Sequence, residues 1–329
     1  MRFHRIFTKS TGGGRPRAAL RGAVALLLGA AVLVGAAGCT GAVDDGRQAA
    51  DTAKLRVVAT IFPLYDFTRA VAGGMADVTM LLAPGSSVHS FDPSIGDIRT
   101  LQSADVFFYI GGDGDVWVSG LLASGDITAV SVRLMDSVQT VQEQALPGEP
   151  AETGADEHIW TSPANAIVMV NTIRDTLCAQ DSAHADAYRA NAAAYTASLQ
   201  TLDNELHAVA DTAARRTIVV ADRFPFRYLV DELGLSYAAA YGGCSDQTDA
   251  SVSVIERLIN TVRDEDIHYV FYAELSNRDT ARAVCEQTGV SALLLHSCET
   301  VSKADFDAGV TYLSIMERNK ENLALALNG

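Results

Sequence analysis

Four side chains that commonly bind metal ions adjoin the ends of short apolar runs in this sequence. They are His89, His158, Asp222 and His296. Three of them follow a predicted strand, and the fourth, His158, precedes a predicted helix start at Ser162. Three imidazoles and one carboxylate form a tetrahedral ligand set suited to Zn²⁺, whereas a site richer in oxygen suits Mn²⁺ better. Because four protein ligands leave no open position for a catalytic water, the set favours binding over hydrolysis.

Each of these residues also has an ordinary structural interpretation. A single loop histidine is usually a solvated or hydrogen-bonded side chain. Asp222, which precedes Arg223, has the alternatives of a helix cap or a salt-bridge partner, and His296 that of a hydrogen-bonded core histidine. The position that the four residues share favours the joint interpretation as one metal site.

Eight apolar runs of strand length alternate with helical stretches. They are 55–60, 78–83, 105–110, 127–132, 217–221, 235–240, 267–273 and 291–296. Continuous apolar strands that alternate with helices predict parallel sheets covered on both faces, and therefore an α/β fold.

Residues 181–216 separate the two groups of runs and contain no Gly or Pro. Apolar residues recur there at steps of three and four, which predicts one long amphipathic helix of roughly 45 Å. We expect a rigid spine helix between two Rossmann-like lobes, 55–180 and 217–329, rather than a helix within one domain. Ligands of open α/β sheets bind beyond the carboxyl ends of the strands. Two candidate ligands from each lobe would therefore line a cleft between the lobes.

The first 38 residues have the pattern of a secretory signal. Basic residues without any acid precede an apolar run, which ends in small residues before Cys39. This pattern resembles a bacterial lipoprotein signal, which implies cleavage before Cys39 and lipidation of that cysteine; the alternative is an uncleaved anchor. Residues 39–54 are small, polar and aperiodic, as in a flexible tether. We therefore expect an extracytoplasmic protein anchored to the cell membrane.

The chain beyond this leader is strongly acidic. The full sequence has 25 Lys and Arg against 40 Asp and Glu, and the residues from Cys39 onward have 19 against 40, a net charge of −21. Such a charge argues against nucleic acid as a partner and against broad contact with anionic lipid.

Five segments, in this order along the chain, match a known family. They are VVATIFPLYDFTRAVAGG, LLAPGSSVHSFDPS, ADVFFYIGGDGDVW, DEHIWTSPANA and TYLSIMERNKENLALAL. They resemble the zinc/manganese substrate-binding lipoproteins of bacterial ABC importers, from about residue 55 to the end. The resemblance implies two Rossmann-like lobes, a rigid linking helix and a metal ion between the lobes. It also implies delivery of the ion to a membrane permease driven by a cytoplasmic ATPase.

The resemblance assigns the ligands residue by residue. His89 matches the histidine after the family's proline-glycine loop, and His158 matches the histidine of its His-x-Trp motif. Asp222 stands where the family usually has histidine or glutamate, and His296 stands where it usually has aspartate. A carboxylate thus replaces a usual imidazole at one position, and an imidazole replaces a usual carboxylate at the other. The resulting set of three nitrogens and one carboxylate resembles the zinc members.

Further residues receive roles from the same resemblance. Glu274 matches a family glutamate and is expected either to orient a ligand or loop, or to be a helix-start carboxylate. Cys244 and Cys298 lie in loops on the site side of the C-terminal lobe, and we predict a disulfide between them, as in some zinc members; metal ligation by Cys298 is the alternative. The acidic loop 139–157 is either a weak cation-collecting lip or, more simply, a solvated loop.

The sequence therefore predicts a monomeric, lipid-anchored Zn²⁺ receptor of an ABC importer, not an enzyme. A manganese or iron receptor of the same family and a surface adhesin that uses this fold are the alternatives. An exported metallohydrolase is disfavoured because the sequence has no nucleophile elbow and no spare ligand position.

Overall fold

The computed structural model describes residues 53–144, 146, 154–243 and 250–329. The strands are Leu55–Ala59 (β1), Ala76–Met80 (β2), Val106–Tyr109 (β3), Val130–Arg133 (β4), Thr217–Phe224 (β5), Ser236–Gly242 (β6), Tyr269–Tyr272 (β7) and Ser291–Leu294 (β8). The α-helices are Phe62–Ala72 (α1), Ile95–Ser103 (α2), Val116–Ala123 (α3), Pro163–Gln180 (α4), Ala185–Asp211 (α5), Arg227–Leu233 (α6), Val252–Asp264 (α7), Asp279–Thr288 (α8), Lys303–Asp307 (α9) and Tyr312–Asn328 (α10). Short 3-10 turns at Val88–Ser90, Ile159–Thr161 and Ser182–His184 complete the elements used below.

The strands form two four-stranded sheets, with the orders β2-β1-β3-β4 and β6-β5-β7-β8. All pairings within both sheets are parallel. The α/β prediction and the eight predicted strands are confirmed. In each sheet the chain order reverses beside a central strand, so the carboxyl ends of the strands open a crevice there.

One predicted strand ends later than expected, and this changes the position of a candidate ligand. The expected strand 217–221 continues as β5 to Phe224, with a register irregularity between Val220 and Arg223. Asp222 therefore lies inside this irregularity and not in a loop beyond the strand. A β-bulge of this kind redirects side chains, and an apolar pattern alone does not reveal it.

The long helix predicted over 181–216 is present as α5, preceded by the 3-10 turn at Ser182–His184. Its buried face includes Leu199, Leu202 and Leu206, which are three and four residues apart, and also Tyr188, about three turns before Leu199 along the same face. These residues belong to one hydrophobic core cluster that also contains Val57 of β1 and Val220 of β5. Both sheets therefore share a continuous core through the helices between them.

A capped helix start fixes the segment that carries His158. The Ser162 side chain accepts a hydrogen bond from the Asn165 amide, and Pro163 occupies the first turn of α4. The 3-10 turn Ile159–Thr161 precedes this cap directly. His158 therefore lies directly before a turn that leads into the capped start of α4.

Residues 53–329, as far as the structure describes them, belong to one compact unit. The boundaries of the predicted lobes, 55–180 and 217–329, and of the linking helix stay predictions. In the described part of the chain, the helices are all too short or too polar to cross a membrane. The predicted signal, Cys39 and the tether 39–54 lie outside the described residues, apart from positions 53 and 54.

Candidate metal centre

His89 lies in the 3-10 turn that follows β2, and its side chain is only 7% exposed. Its Nδ1 is 3.5 Å from Glu157 Oε1, and its Nε2 is 4.0 Å from Glu299 Oε2. The preceding amide, of Val88, donates to Glu299 Oε1 at 3.1 Å. Glu299, from beyond the last strand of the second sheet, therefore holds the backbone of the His89 turn and faces its ring.

His158 is fully buried, and the carboxylate of Asp156, two residues before it, orients its ring. The Asp156 Oδ1 atom accepts hydrogen bonds from the His158 amide at 2.8 Å and from Nδ1 at 3.1 Å. Because a carboxylate can only accept, Nδ1 carries a proton and Nε2 is the nitrogen available to a metal. The ring centroids of His158 and His89 are 6.1 Å apart.

Both imidazoles have a buried nitrogen in need of a partner. The Nε2 atoms of His89 and His158 are buried, and neither has a hydrogen-bond partner among the described residues. Buried polar atoms without partners are rare and costly, and two of them on neighbouring rings fit a pair of metal ligands. Ligand atoms of His89, Glu157 and His158 lie within 4.8 Å of one another.

The electrostatics of this pocket favour positive charge. Burial alone would lower the pKa of His158, but the carboxylates of Asp156, Glu157 and Glu299 outweigh it and raise that pKa to about 9. Opposite charges within a few ångströms favour the charged form of an imidazole. The same carboxylates would stabilise a divalent cation.

The structure places Asp222 in different surroundings. Its Oδ1 accepts from the Arg223 amide at 2.9 Å, and its Oδ2 accepts from the Ala273 amide at 3.2 Å. Both oxygens thus satisfy backbone donors at the irregularity of β5. Within the described residues, Asp222 does not belong to the ligand cluster of His89 and His158.

His296 follows β8 as predicted, and it too has local partners. Its Nδ1 accepts from the Cys298 amide at 3.0 Å and lies 3.7 Å from Glu274 Oε2. Its backbone is held by Asn319, whose Oδ1 accepts from the His296 amide and whose Nδ2 donates to the His296 carbonyl. Among the described residues, the clusters of potential ligands do not include His296.

Glu274 is buried between these loops. Its carboxylate accepts from the amide and hydroxyl of Ser297, and the Arg223 guanidinium lies 4.0 Å away. Burial raises the pKa of Glu274, but the charges of His296 and Arg223 and the Ser297 hydrogen bonds outweigh it and lower the pKa below its usual value. These contacts support the expectation that Glu274 orients the His296 loop, which stays a prediction.

Three acidic residues of the pocket are new relative to the sequence prediction. Asp156, Glu157 and Glu299 are 3%, 4% and 1% exposed. The first two belong to the acidic loop 139–157, for which a solvated surface was the simpler expectation; for these two residues that expectation is wrong. In the sequence, Asp156 and Glu157 directly precede His158, and Glu299 follows His296 by three residues. This closeness to candidate ligands is the sequence signal that points to them.

The structure describes only one of the two cysteines of the predicted Cys244–Cys298 disulfide. Cys244 lies outside the described residues, and Cys298 is buried and forms no disulfide with another described cysteine. The pairing stays a prediction. Cys178 and Cys285 are partly buried, and they too form no disulfide among the cysteines that the structure describes.

Contacts between the two sheet-bearing halves surround the histidines. Trp160 Nε1 donates to the Ser297 carbonyl at 2.7 Å, and the Gly85 amide donates to the Thr300 hydroxyl at 3.1 Å. At Gly243, after β6, a Cβ atom would lie 2.7 Å from His158 Cε1. The pocket is therefore closed by direct packing of loops from both halves.

Known proteins share the sequence pattern and the fold of this chain. The family described as "ZnuA: Zinc-uptake complex component A periplasmic" matches residues 57–326. The chain belongs to this family. Individual zinc-binding proteins also match the chain. The zinc-binding protein AdcA of Streptococcus pyogenes (strain MGAS8232) is 30% identical over 298 residues, which cover 85% of this chain and 58% of AdcA.

Other ZnuA-type relatives match over nearly their whole length. The high-affinity zinc uptake system protein ZnuA of Bacillus subtilis is 28% identical over 87% of this chain and 92% of its own. The Zn(II)-bound ZnuA-like domain of Streptococcus pneumoniae AdcA superimposes with a TM-score of 0.72, at 30% identity, over 84% of this chain and all of that domain. The chain thus spans a little over half the length of the AdcA relatives and nearly all of the ZnuA relative.

Proposed function

We propose that this protein is an extracytoplasmic Zn²⁺ receptor that delivers the ion to the permease of an ABC importer. Membership of the ZnuA family supports a role in zinc uptake. The observation that carries the proposal is the pair of buried Nε2 atoms of His89 and His158, which have no partner among the described residues and face a pocket of carboxylates. Zn²⁺ is the transported ligand here and not a catalytic cofactor.

The proposed ligands begin with His89 and His158. The sequence prediction completes the set with Asp222 and His296, whereas the geometry also offers the carboxylates of Glu157 and Glu299. Glu299→Gln and Asp222→Asn make the same chemical change in the two competing carboxylates. We expect the larger loss of Zn²⁺ affinity from Glu299→Gln, because both oxygens of Asp222 already accept backbone amides.

Calorimetry on the protein without its leader tests the function. We expect one tight Zn²⁺ site per chain, lost in His89→Ala and in His158→Ala and weakened in His296→Ala if that residue is a ligand. Absence of a tight site, or a tight site unchanged by both His89→Ala and His158→Ala, would sink the proposal. Competition between Zn²⁺ and Mn²⁺ separates it from a manganese receptor.

We also propose how the receptor is anchored and which proteins it meets. A monomer anchored through a lipid on Cys39 would present the ion to a permease and its cytoplasmic ATPase. Cys39→Ser should move the protein from the membrane fraction to the medium, and deletion should slow growth only when zinc is scarce. The laminin-binding protein Lmb of Streptococcus agalactiae, at 24% identity, shares the fold. An adhesin role instead predicts laminin binding that persists in the His89→Ala variant.

A further inference from the structure

We infer that the protein has a second divalent-cation site, formed by Asp203, His207 and Glu232. One ligand atom from each residue lies within 4.8 Å of the other two. Asp203 and His207 belong to α5 and Glu232 to α6, so the site uses none of the residues or loops of the centre described above. The inference is independent of the proposed zinc delivery.

The two α5 residues have the spacing of a helical chelate. Residues four apart lie on the same face of a helix, one turn above the other. His207 Nδ1 is 3.5 Å from Asp203 Oδ1 and donates to the Asp203 carbonyl oxygen at 3.0 Å. Because that carbonyl can only accept, Nδ1 carries the proton and Nε2 is the nitrogen available to an ion. Gln200 donates to Asp203 Oδ2 at 2.9 Å. The other oxygen, Oδ1, is buried and has no hydrogen-bond partner within the described chain.

Glu232 brings a second carboxylate to the same point. Both of its Oε atoms are buried without a close hydrogen-bond partner among the described residues, and the Ser162 hydroxyl and the Ala164 amide at the start of α4 are the donors that face the carboxylate. The nearest arginine in its own helix, Arg227, pairs with Asp231 instead, at 3.0 Å. Burial and the Asp203 carboxylate raise the pKa of Glu232 to about 8. Two carboxylates that share a partly buried position repel each other unless a proton or a cation lies between them.

The ligand types point to a transition-metal dication. One imidazole nitrogen and two carboxylate oxygens, with a water as the fourth ligand, suit Zn²⁺. Bonds of about 2.1 Å in a tetrahedron place ligand atoms about 3.4 Å apart, so small side-chain rotations bring the three groups into range. The His207 side chain is 43% exposed, which leaves an entry path from solvent.

Zinc analysis after equilibrium dialysis of the protein, over a range of free Zn²⁺, tests the inference. We expect two zinc ions per chain in the wild type at saturation, and one in the double variant Asp203→Asn/Glu232→Gln. His207→Ala should weaken only the second site, by at least about tenfold, since removing a ligand removes one of three protein bonds. His184→Ala, a change in a part-buried histidine just before α5, is the matched control and should leave both sites intact.

These measurements test the second site independently of the proposed zinc-receptor function. His89→Ala should retain one zinc ion, bound at the second site. Saturation of the wild type at a single ion that His89→Ala abolishes overturns the second site but leaves the receptor intact. A second ion that persists in the Asp203→Asn/Glu232→Gln variant also overturns it. If that double variant fails to fold, His207→Ala still distinguishes the outcomes, because its side chain is partly exposed.

Discussion

Asp156 accepts two hydrogen bonds from His158, one from its backbone amide and one from Nδ1. The carboxylate thereby fixes both the position and the tautomer of a fully buried imidazole. Asp156 is held in turn through its carbonyl oxygen, which accepts from the Tyr228 hydroxyl at 2.6 Å. A carboxylate–histidine pair of this kind raises the basicity of the imidazole toward a metal.

Asp156→Asn is expected to weaken Zn²⁺ binding by about 10- to 100-fold while the protein stays folded, because partners behind a metal ligand typically contribute that much. Competition against a zinc-binding dye measures the change. Asp186→Asn, at a fully exposed position of α5, is the control and should have no effect. An unchanged affinity in Asp156→Asn would show that His158 does not bind the ion through Nε2.

Gly243→Ala is expected to impair the same pocket by steric pressure. The added Cβ atom would lie 2.7 Å from His158 Cε1 and 3.2 Å from the Phe224 carbonyl oxygen, so the loop or the ring must shift. We expect weaker Zn²⁺ binding than in wild type, measured by the same dye competition. Gly120→Ala in α3 meets no atom within 4 Å and should bind normally. Equal affinities of the two variants would contradict the close approach.

Trp160→Phe is expected to destabilise the fold by about 1–3 kcal/mol, because it leaves the buried Ser297 carbonyl without its donor. The matched control is Trp117→Phe. Trp117 Nε1 is buried and has no partner among the described residues, so its removal should cost less. The difference between the urea midpoints of the two variants measures the hydrogen bond between the halves. A larger loss in Trp117→Phe would refute this assignment.

The ion pair between Arg56 and Asp105 is expected to make stability depend on pH at the acid end. Hydrogen bonds from the Arg56 side chain and amide lower the pKa of Asp105. A carboxyl with a lowered folded pKa contributes stability above its unfolded pKa, and this contribution is lost as the pH falls through the folded value. Asp105→Asn should therefore have a lower urea midpoint than wild type at pH 7, and this difference should shrink as the pH falls below about 3.9, the pKa of an unperturbed Asp.

The control for this pH dependence is Asp136→Asn. Asp136 pairs with Arg133 through one contact of 3.2 Å and is 68% exposed, so solvent screens the pair. We expect little change in its urea midpoint at either pH. An Asp105→Asn difference that does not shrink as the pH falls below about 3.9 would mean that the charge of Asp105 is not the cause.

The sequence predicts the framework of this fold better than it predicts the pocket. Apolar runs of strand length and the three- and four-residue repeat of α5 follow directly from burial, which acts on whole elements. His89 and His158 are predicted as ligands because they adjoin such elements, and the structure places their rings 6.1 Å apart. Glu299 was not found, because its approach to His89 depends on how loops from distant parts of the chain pack together.

The position of Asp222 shows the same limit at the level of one residue. The strand pattern ended at residue 221, but the backbone continues as β5 with a register irregularity. Within such an irregularity the direction of a side chain no longer follows the alternation of the strand. Whether Asp222 contacts the ion is therefore a question of local backbone geometry, which composition and spacing do not encode.

The core that both sheets share through α5 has a consequence for the time course of transport. A hinge movement that separates the two sheet-bearing halves would expose buried apolar surface, at a free-energy cost of about 25 cal/mol per Å². For an ion bound at the proposed site, we therefore expect entry and release through small movements of the loops around His89 and His158. The residence time of zinc then becomes a property of a few loop contacts, which a docking partner can loosen without unfolding or hinging the receptor.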